Sequence, residues 1–148
     1  MRAREVRLRG RWSGLPADTI TLDHDARHRR RITLTSDGGL RFLLDLAEAA
    51  HIHDGDGLLL NDGRIVEVKA RREELSEIRG RDDLHLLRLA WHLGNRHLAA
   101  QMATGRILIR RDPVITDMLR GLGASVRDVE EPFDPEAGAY SGSHRHDV

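Results

Sequence analysis

The chain has 148 residues, 39% of them apolar but only five aromatic, and its 24 basic and 24 acidic side chains cancel. That balance excludes the global field that draws a protein onto nucleic acid or an anionic membrane. The absence of cysteine excludes disulfides and thiolate metal sites, leaving histidine and carboxylate as ligands, a set suited to Ni²⁺, Zn²⁺ and Cu²⁺.

The opening Met1-Arg2-Ala3-Arg4-Glu5 has none of the apolar core of a signal peptide, and no stretch reaches bilayer length, so a cytoplasmic location is expected. Up to about Arg72 the pattern is β. Glu5 to Leu8, Thr19 to Leu22, Arg31 to Thr35 and Leu40 to Leu44 alternate as strands do, and Leu58-Leu59-Leu60, Asn61-Asp62-Gly63 and Arg64 to Val68 predict a hairpin. Short strands at this spacing suggest a small barrel or sandwich.

Beyond Arg72 the rhythm changes. Leu75 to Arg79 reads as a strand, Asp82 or Asp83 caps a helix from Leu84 to about Leu93, and Gln101 to Ala103 pairs with Arg106 to Arg110 across Thr104-Gly105. Asp112-Pro113 starts a second helix with Val114, Ile115, Met118, Leu119 and Leu122 as its apolar face, ended by Gly121 and Gly123, and Ala124 to Val129 closes as a strand. A β-α-β-β-α-β order in so few residues is ferredoxin-like. The expected class is therefore α+β: a small all-β N-terminal domain over residues 1–72, a ferredoxin-like domain over 73–130, and a tail over 131–148 that offers nothing to bury and reads as flexible.

No catalytic constellation is present: no His-Glu-x-x-His helix, no Gly-Lys-Ser phosphate loop and no Gly-x-Ser-x-Gly elbow. The informative stretch is His92-Leu93-Gly94-Asn95-Arg96-His97. Histidines five apart are rotated by roughly 140° about a helix axis, so they form no same-face pair. Gly94 and Asn95 tolerate the left-handed conformation, which predicts that the helix ends there and leaves His97 on a loop. Any metal at His97 then needs ligands from another segment or another chain.

The other histidines have plainer readings. His85 falls with Arg88 and His92 on one polar helix face and reads as a solvated residue. His24 and His28 lie in a charged segment, Asp23 to Arg31, whose interleaved acids favour a solvated loop over a phosphate grip. His51 and His53 flank Ile52 in a turn-rich, exposed stretch. On the residues alone, His144 and His146 belong to an unstructured polar end, with wrapping onto a metal held elsewhere as the alternative.

The run His92 to His97, followed by a hairpin, Asp117-Met118-Leu119-x-x-Leu122-Gly123, Pro132-Phe133-x-Pro135-Glu136-x-Gly138-Ala139-Tyr140 and a histidine-bearing tail, resembles the UreE family of urease accessory proteins. Arg29 to Leu34, Gly55-Asp56-Gly57 and the Asp62-Gly63 hairpin are similar to that family's N-terminal domain. The resemblance implies a non-catalytic nickel metallochaperone that delivers Ni²⁺ to apo-urease with the accessory GTPase UreG and the other accessory proteins. It implies a peptide-binding-like N-terminal domain and a homodimer formed through the ferredoxin-like domain. His97 maps onto the family's interface ligand, with His144 and His146 completing the site, His92 secondary, and Cu²⁺ or Zn²⁺ able to take the same place in vitro. Arg110, Arg111 and Asp112 stand where some relatives carry extra histidines, which argues against auxiliary metal sites there. Two rival readings lack metal: a peptide-binding chaperone, or an RNA-binding module, the latter weakened because Met102-Ala103 and Ile107-Leu108-Ile109 supply no aromatic platform.

Overall fold

The computed structural model describes residues 1–136, in two compact units, Met1–Arg71 and Arg72–Glu136. The first contains β1 (Arg2–Arg7), β2 (Asp18–Leu22), β3 (Arg31–Thr35), β4 (Arg41–Asp45), β5 (Gly57–Leu60) and β6 (Ile65–Ala70). They form one six-stranded sheet in the order β2-β6-β5-β1-β4-β3. The hairpin of β5 and β6 turns at Gly63, whose φ of 91° is one that side-chain-bearing residues avoid.

The expected barrel or sandwich is a single curled sheet whose two edges are tied together. The Asp37 N–H, just past β3, donates to the Thr19 carbonyl on β2 at 2.8 Å. The hydroxyls of Thr19 and Thr21 donate to Asp37 Oδ2 at 2.7 and 3.1 Å. Ser36 and Gly38 donate to Asp18, and these bonds, Ser36 first, hold the Asp18 carboxyl below its ordinary range. Capturing the edge strands in this way removes a template for aggregation. Inside the curl, Ala3, Ile20, Phe42, Leu44, Ile52, Leu58, Val66 and Val68 form the buried core.

The second unit runs β7 (Arg72–Arg79), α1 (Asp83–Asn95), β8 (Ala100–Ala103), β9 (Arg106–Arg110), α2 (Pro113–Gly121) and β10 (Ser125–Pro132). Its antiparallel sheet has the order β10-β7-β9-β8, the ferredoxin-like arrangement expected. Asp82 caps α1 by accepting from the His85 N–H, and Asp112 caps α2 by accepting from Val114 and Ile115, with Pro113 at the first helical position. Leu89, Leu93, Ile115 and Leu119 pack on Ile78, Ile107 and Ile109, each such burial contributing about 1.5–3 kcal/mol before entropy.

The sheet face away from the helices is also covered. Leu75, Leu108 and Phe133 form a small core of their own, all at 0% exposure. This corrects the expectation that the chain offers nothing to bury from residue 131 onward. Glu131 and Pro132 extend β10 against Glu73 and Arg72, Phe133 fills the outer core, and the next residues strap back across the sheet to β8. The Asp134 N–H donates to Gln101 Oε1 and the Glu136 N–H to the Ala100 carbonyl, both at 2.9 Å.

Beside that core lies a charge network. Glu77, buried on β7, accepts from Arg106 at 2.9 Å, Arg127 at 3.0 Å and Arg79 at 3.1 Å. Burial by itself pushes its carboxyl up, but the hydrogen bonds from Arg79 and Arg106 and the Arg127 charge outweigh burial and hold it below the usual range. Glu131, which takes both ends of the Arg106 guanidinium at 2.7 Å, is lowered as well, chiefly by that pair of bonds.

Candidate metal centre

His97 stands just beyond the end of α1, and its backbone is unusual. Among the described residues it is the one non-glycine with positive φ, at 57°. The helix ends between His92 and His97, as the sequence had suggested, with Asn95 its last residue, but neither Gly94 nor Asn95 takes the left-handed position. Arg96 is the C-cap, and His97 itself takes the left-handed position, its N–H donating to the Gly94 carbonyl at 3.1 Å. For a residue with a Cβ that conformation costs roughly 1–2 kcal/mol. Residues held in such conformations cluster at functional sites, and here the imidazole is left exposed.

The neighbourhood of His97 is partly cationic. A cleft of about 230 Å³ beside it is lined by His97, Ile109, Arg110, Arg111 and Asp112 among others. Arg110 lies over the Phe133 ring at 5.8 Å, and Asp112 is occupied as the α2 cap. His92 is half-buried and meets Trp91 edge to face, with centroids 5.1 Å apart. It does not turn toward His97 through any contact of its ring among the described residues. His144 and His146 lie outside the described residues. No three histidine or carboxylate side chains converge as a closed site among the described residues.

The strap bears on the tail. Because Glu136 pairs with Ala100, the chain leaves the described region at a point bonded three residues from His97. His144 follows Glu136 by eight residues, a reach of up to about 28 Å.

His85 is corrected outright. It is 7% exposed, and its Nδ1 accepts from the Arg81 N–H at 2.9 Å while its Nε2 lies 2.8 Å from the Leu122 carbonyl. An acceptor bond at Nδ1 leaves the proton on Nε2, which donates to Leu122. His85 thus joins the start of α1 to the end of α2, and no lone pair remains for a metal.

The four histidines of the first unit are corrected too: they are gathered in space. His51 lies at centroid distances of 4.2 Å from His28, 6.3 Å from His24 and 6.3 Å from His53. Sequence reasoning missed this because the two segments stand more than twenty positions apart.

The remaining surface of interest is on α1. Leu84, Leu87 and Trp91 are 56%, 67% and 65% exposed, and their spacing puts them on one helix face. A groove between α1 and β8 adjoins them, lined by Leu86, Leu87, Ala90 and Met102. For the RNA-binding alternative, the central strands are β7 and β9, with β8 and its Met102 at the edge, and neither central strand holds an aromatic residue.

A curled β unit followed by a ferredoxin-like unit, with one exposed histidine in the left-handed region at a helix end, defines a two-domain α+β protein. The family profiles agree: "UreE urease accessory protein, N-terminal domain" matches residues 2–71 and "UreE urease accessory protein, C-terminal domain" matches residues 73–148. Proteins described as urease accessory protein UreE are similar along most of their length. The one from Chelativorans sp. (strain BNC1) is 63% identical over 130 residues, covering 88% of this chain and 82% of the relative. That from Rhodopseudomonas palustris (strain HaA2) is 54% identical over 144 residues, covering 97% and 67%. The chain belongs to the UreE family of urease accessory proteins. No helix among the described residues is long and apolar enough to cross a membrane.

Proposed function

We propose that this protein is a homodimeric carrier that captures Ni²⁺ at His97 and delivers it to apo-urease during assembly of the metallocentre, working with the accessory GTPase UreG. It performs no catalytic step and acts in the cytoplasm. The observation that carries the reading is His97: an exposed imidazole held at a strained backbone position in a chain of the urease accessory family. A single imidazole holds a borderline divalent ion weakly, and a two-fold axis supplies its twin, since an isologous interface brings each residue to its own copy.

The stripe of Leu84, Leu87 and Trp91 on α1 supports association of two such chains, because exposed apolar side chains grouped on one face mark contact surfaces. The tail histidines, His144 and His146, complete the coordination, and the strap that leaves the chain beside Ala100 favours their arrival. His92 is a secondary ligand at most. Cu²⁺ and Zn²⁺ compete for the same imidazoles, copper the more strongly. Because binding needs neutral imidazole, capture weakens in acid.

Native mass spectrometry with and without Ni²⁺ tests this reading. The expected result is a dimer that retains nickel, and a His97→Ala dimer that does not. A His97→Ala protein with undiminished nickel would end it.

A further inference from the structure

Four of the chain's nine histidines, His24, His28, His51 and His53, lie in the first unit, and its fold gathers them. The turn after β2 carries His24 and His28, and the segment before β5 carries His51 and His53. Arg27, 2% exposed, fastens one to the other: its Nε donates to the Leu22 carbonyl at 3.2 Å and its Nη1 to the Ile52 carbonyl at 3.0 Å. The backbone repeats the join, with the Ile52 N–H donating to the Arg27 carbonyl at 3.1 Å. Each segment is also braced internally. Asp23 Oδ1 accepts from the Ala26 N–H, and the buried Asp56 accepts from the His53 and Arg9 N–H groups, all at 2.8 Å.

On this frame the rings of His24, His28 and His53 surround His51 at centroid distances of 4.2 to 6.3 Å. Two imidazoles bound to one ion at about 2.1 Å, in tetrahedral to octahedral geometry, hold their centroids about 5 Å apart. The observed distances bracket that value. His28 is exposed and His24, His51 and His53 are half-buried, with both ring nitrogens of His24 shut off from solvent, so an ion reaches the cluster from the His28 side. Their nitrogens do not converge on one point, so closing on an ion requires the rings to turn about their side-chain torsions, starting from the closest pair, His28 and His51.

We propose that His24, His28, His51 and His53 form a second borderline-metal site, taking Ni²⁺, Cu²⁺ or Zn²⁺ on the first unit, independent of the dimer interface and of His97. Since the rings must turn to close on the ion, it is weaker than a preformed site. It accepts an ion within a single chain.

The test uses the full chain in a His97→Ala, His144→Ala, His146→Ala background with NiSO₄ as the probe. Ring resonances of the remaining histidines are followed by NMR, and nickel retention by equilibrium dialysis. Paramagnetic Ni²⁺ should broaden the His28 and His51 ring signals first and leave those of the buried His85 sharp. Adding His28→Ala and His51→Ala should then lower affinity by about tenfold or more. Should that variant fail to fold, His28→Gln alone, which changes an exposed side chain, should still weaken binding measurably. Sharp His28 and His51 signals at saturating nickel, or retention unchanged by His28→Gln, would overturn the proposal. Neither outcome depends on whether His97 binds metal.

Discussion

The two ends of α1 carry histidines in opposite circumstances. At the N-terminal end His85 is buried, with both ring nitrogens engaged by backbone groups; just past the C-terminal end His97 is exposed and held at a φ of 57°. One imidazole is used up in holding two helices together, while the other is kept accessible at a conformational cost. The same residue type is structural where its lone pair is spent and available for chemistry where it is not, and pattern alone does not separate the two.

The comparison can be strained from either side. The largest effect is expected away from both histidines, at the outer core that anchors the strap: Phe133→Ala should cost about 3–5 kcal/mol in denaturant unfolding, since it empties a fully buried site. If it costs under about 1 kcal/mol, the strap does not hold the tail near Ala100. Next, His85→Ala should cost about 2–4 kcal/mol, because the Arg81 N–H and the Leu122 carbonyl both lose a buried partner. His85→Asn, able to make one of the two bonds, should fall between.

Acid separates the charge network from the rest. Glu77 and Glu131 are held below their ordinary value of 4.5, so their contribution is complete above that value and is lost as pH falls through the depressed folded values. Unfolding of the parent and of Glu77→Gln across that window should show the parent's advantage shrinking toward acid; a constant difference would remove ionisation from the account. The smallest effect has the opposite sign. His97→Gly should raise stability by about 0.5–1 kcal/mol, because glycine takes the left-handed conformation freely.

Most of the fold was legible in the sequence because it rests on local signals. Asp112-Pro113 marks a helix start and Gly123 a helix end, and Arg31–Thr35 and Arg106–Arg110 alternate clearly enough to be bounded to the residue. What was not legible depends on partners remote in the chain. Phe133, between prolines, reads as coil until Leu75 and Leu108 are placed beneath it. His85 reads as a surface residue until Leu122 arrives from α2. Gly94 and Asn95 give the usual signal for a helix end, and the helix does end at Asn95, but neither residue takes the left-handed position. The left-handed position falls on His97 instead, a shift that the residue types alone do not announce.

The most direct test is calorimetric titration of Ni²⁺ into the parent chain, His97→Ala and His97→Gly, paired with the melting temperature of each. The account predicts that both variants lose the tightest nickel site while His97→Gly melts at or above the parent, because the strained position serves binding rather than folding. A His97→Gly chain that binds nickel as tightly as the parent would contradict it.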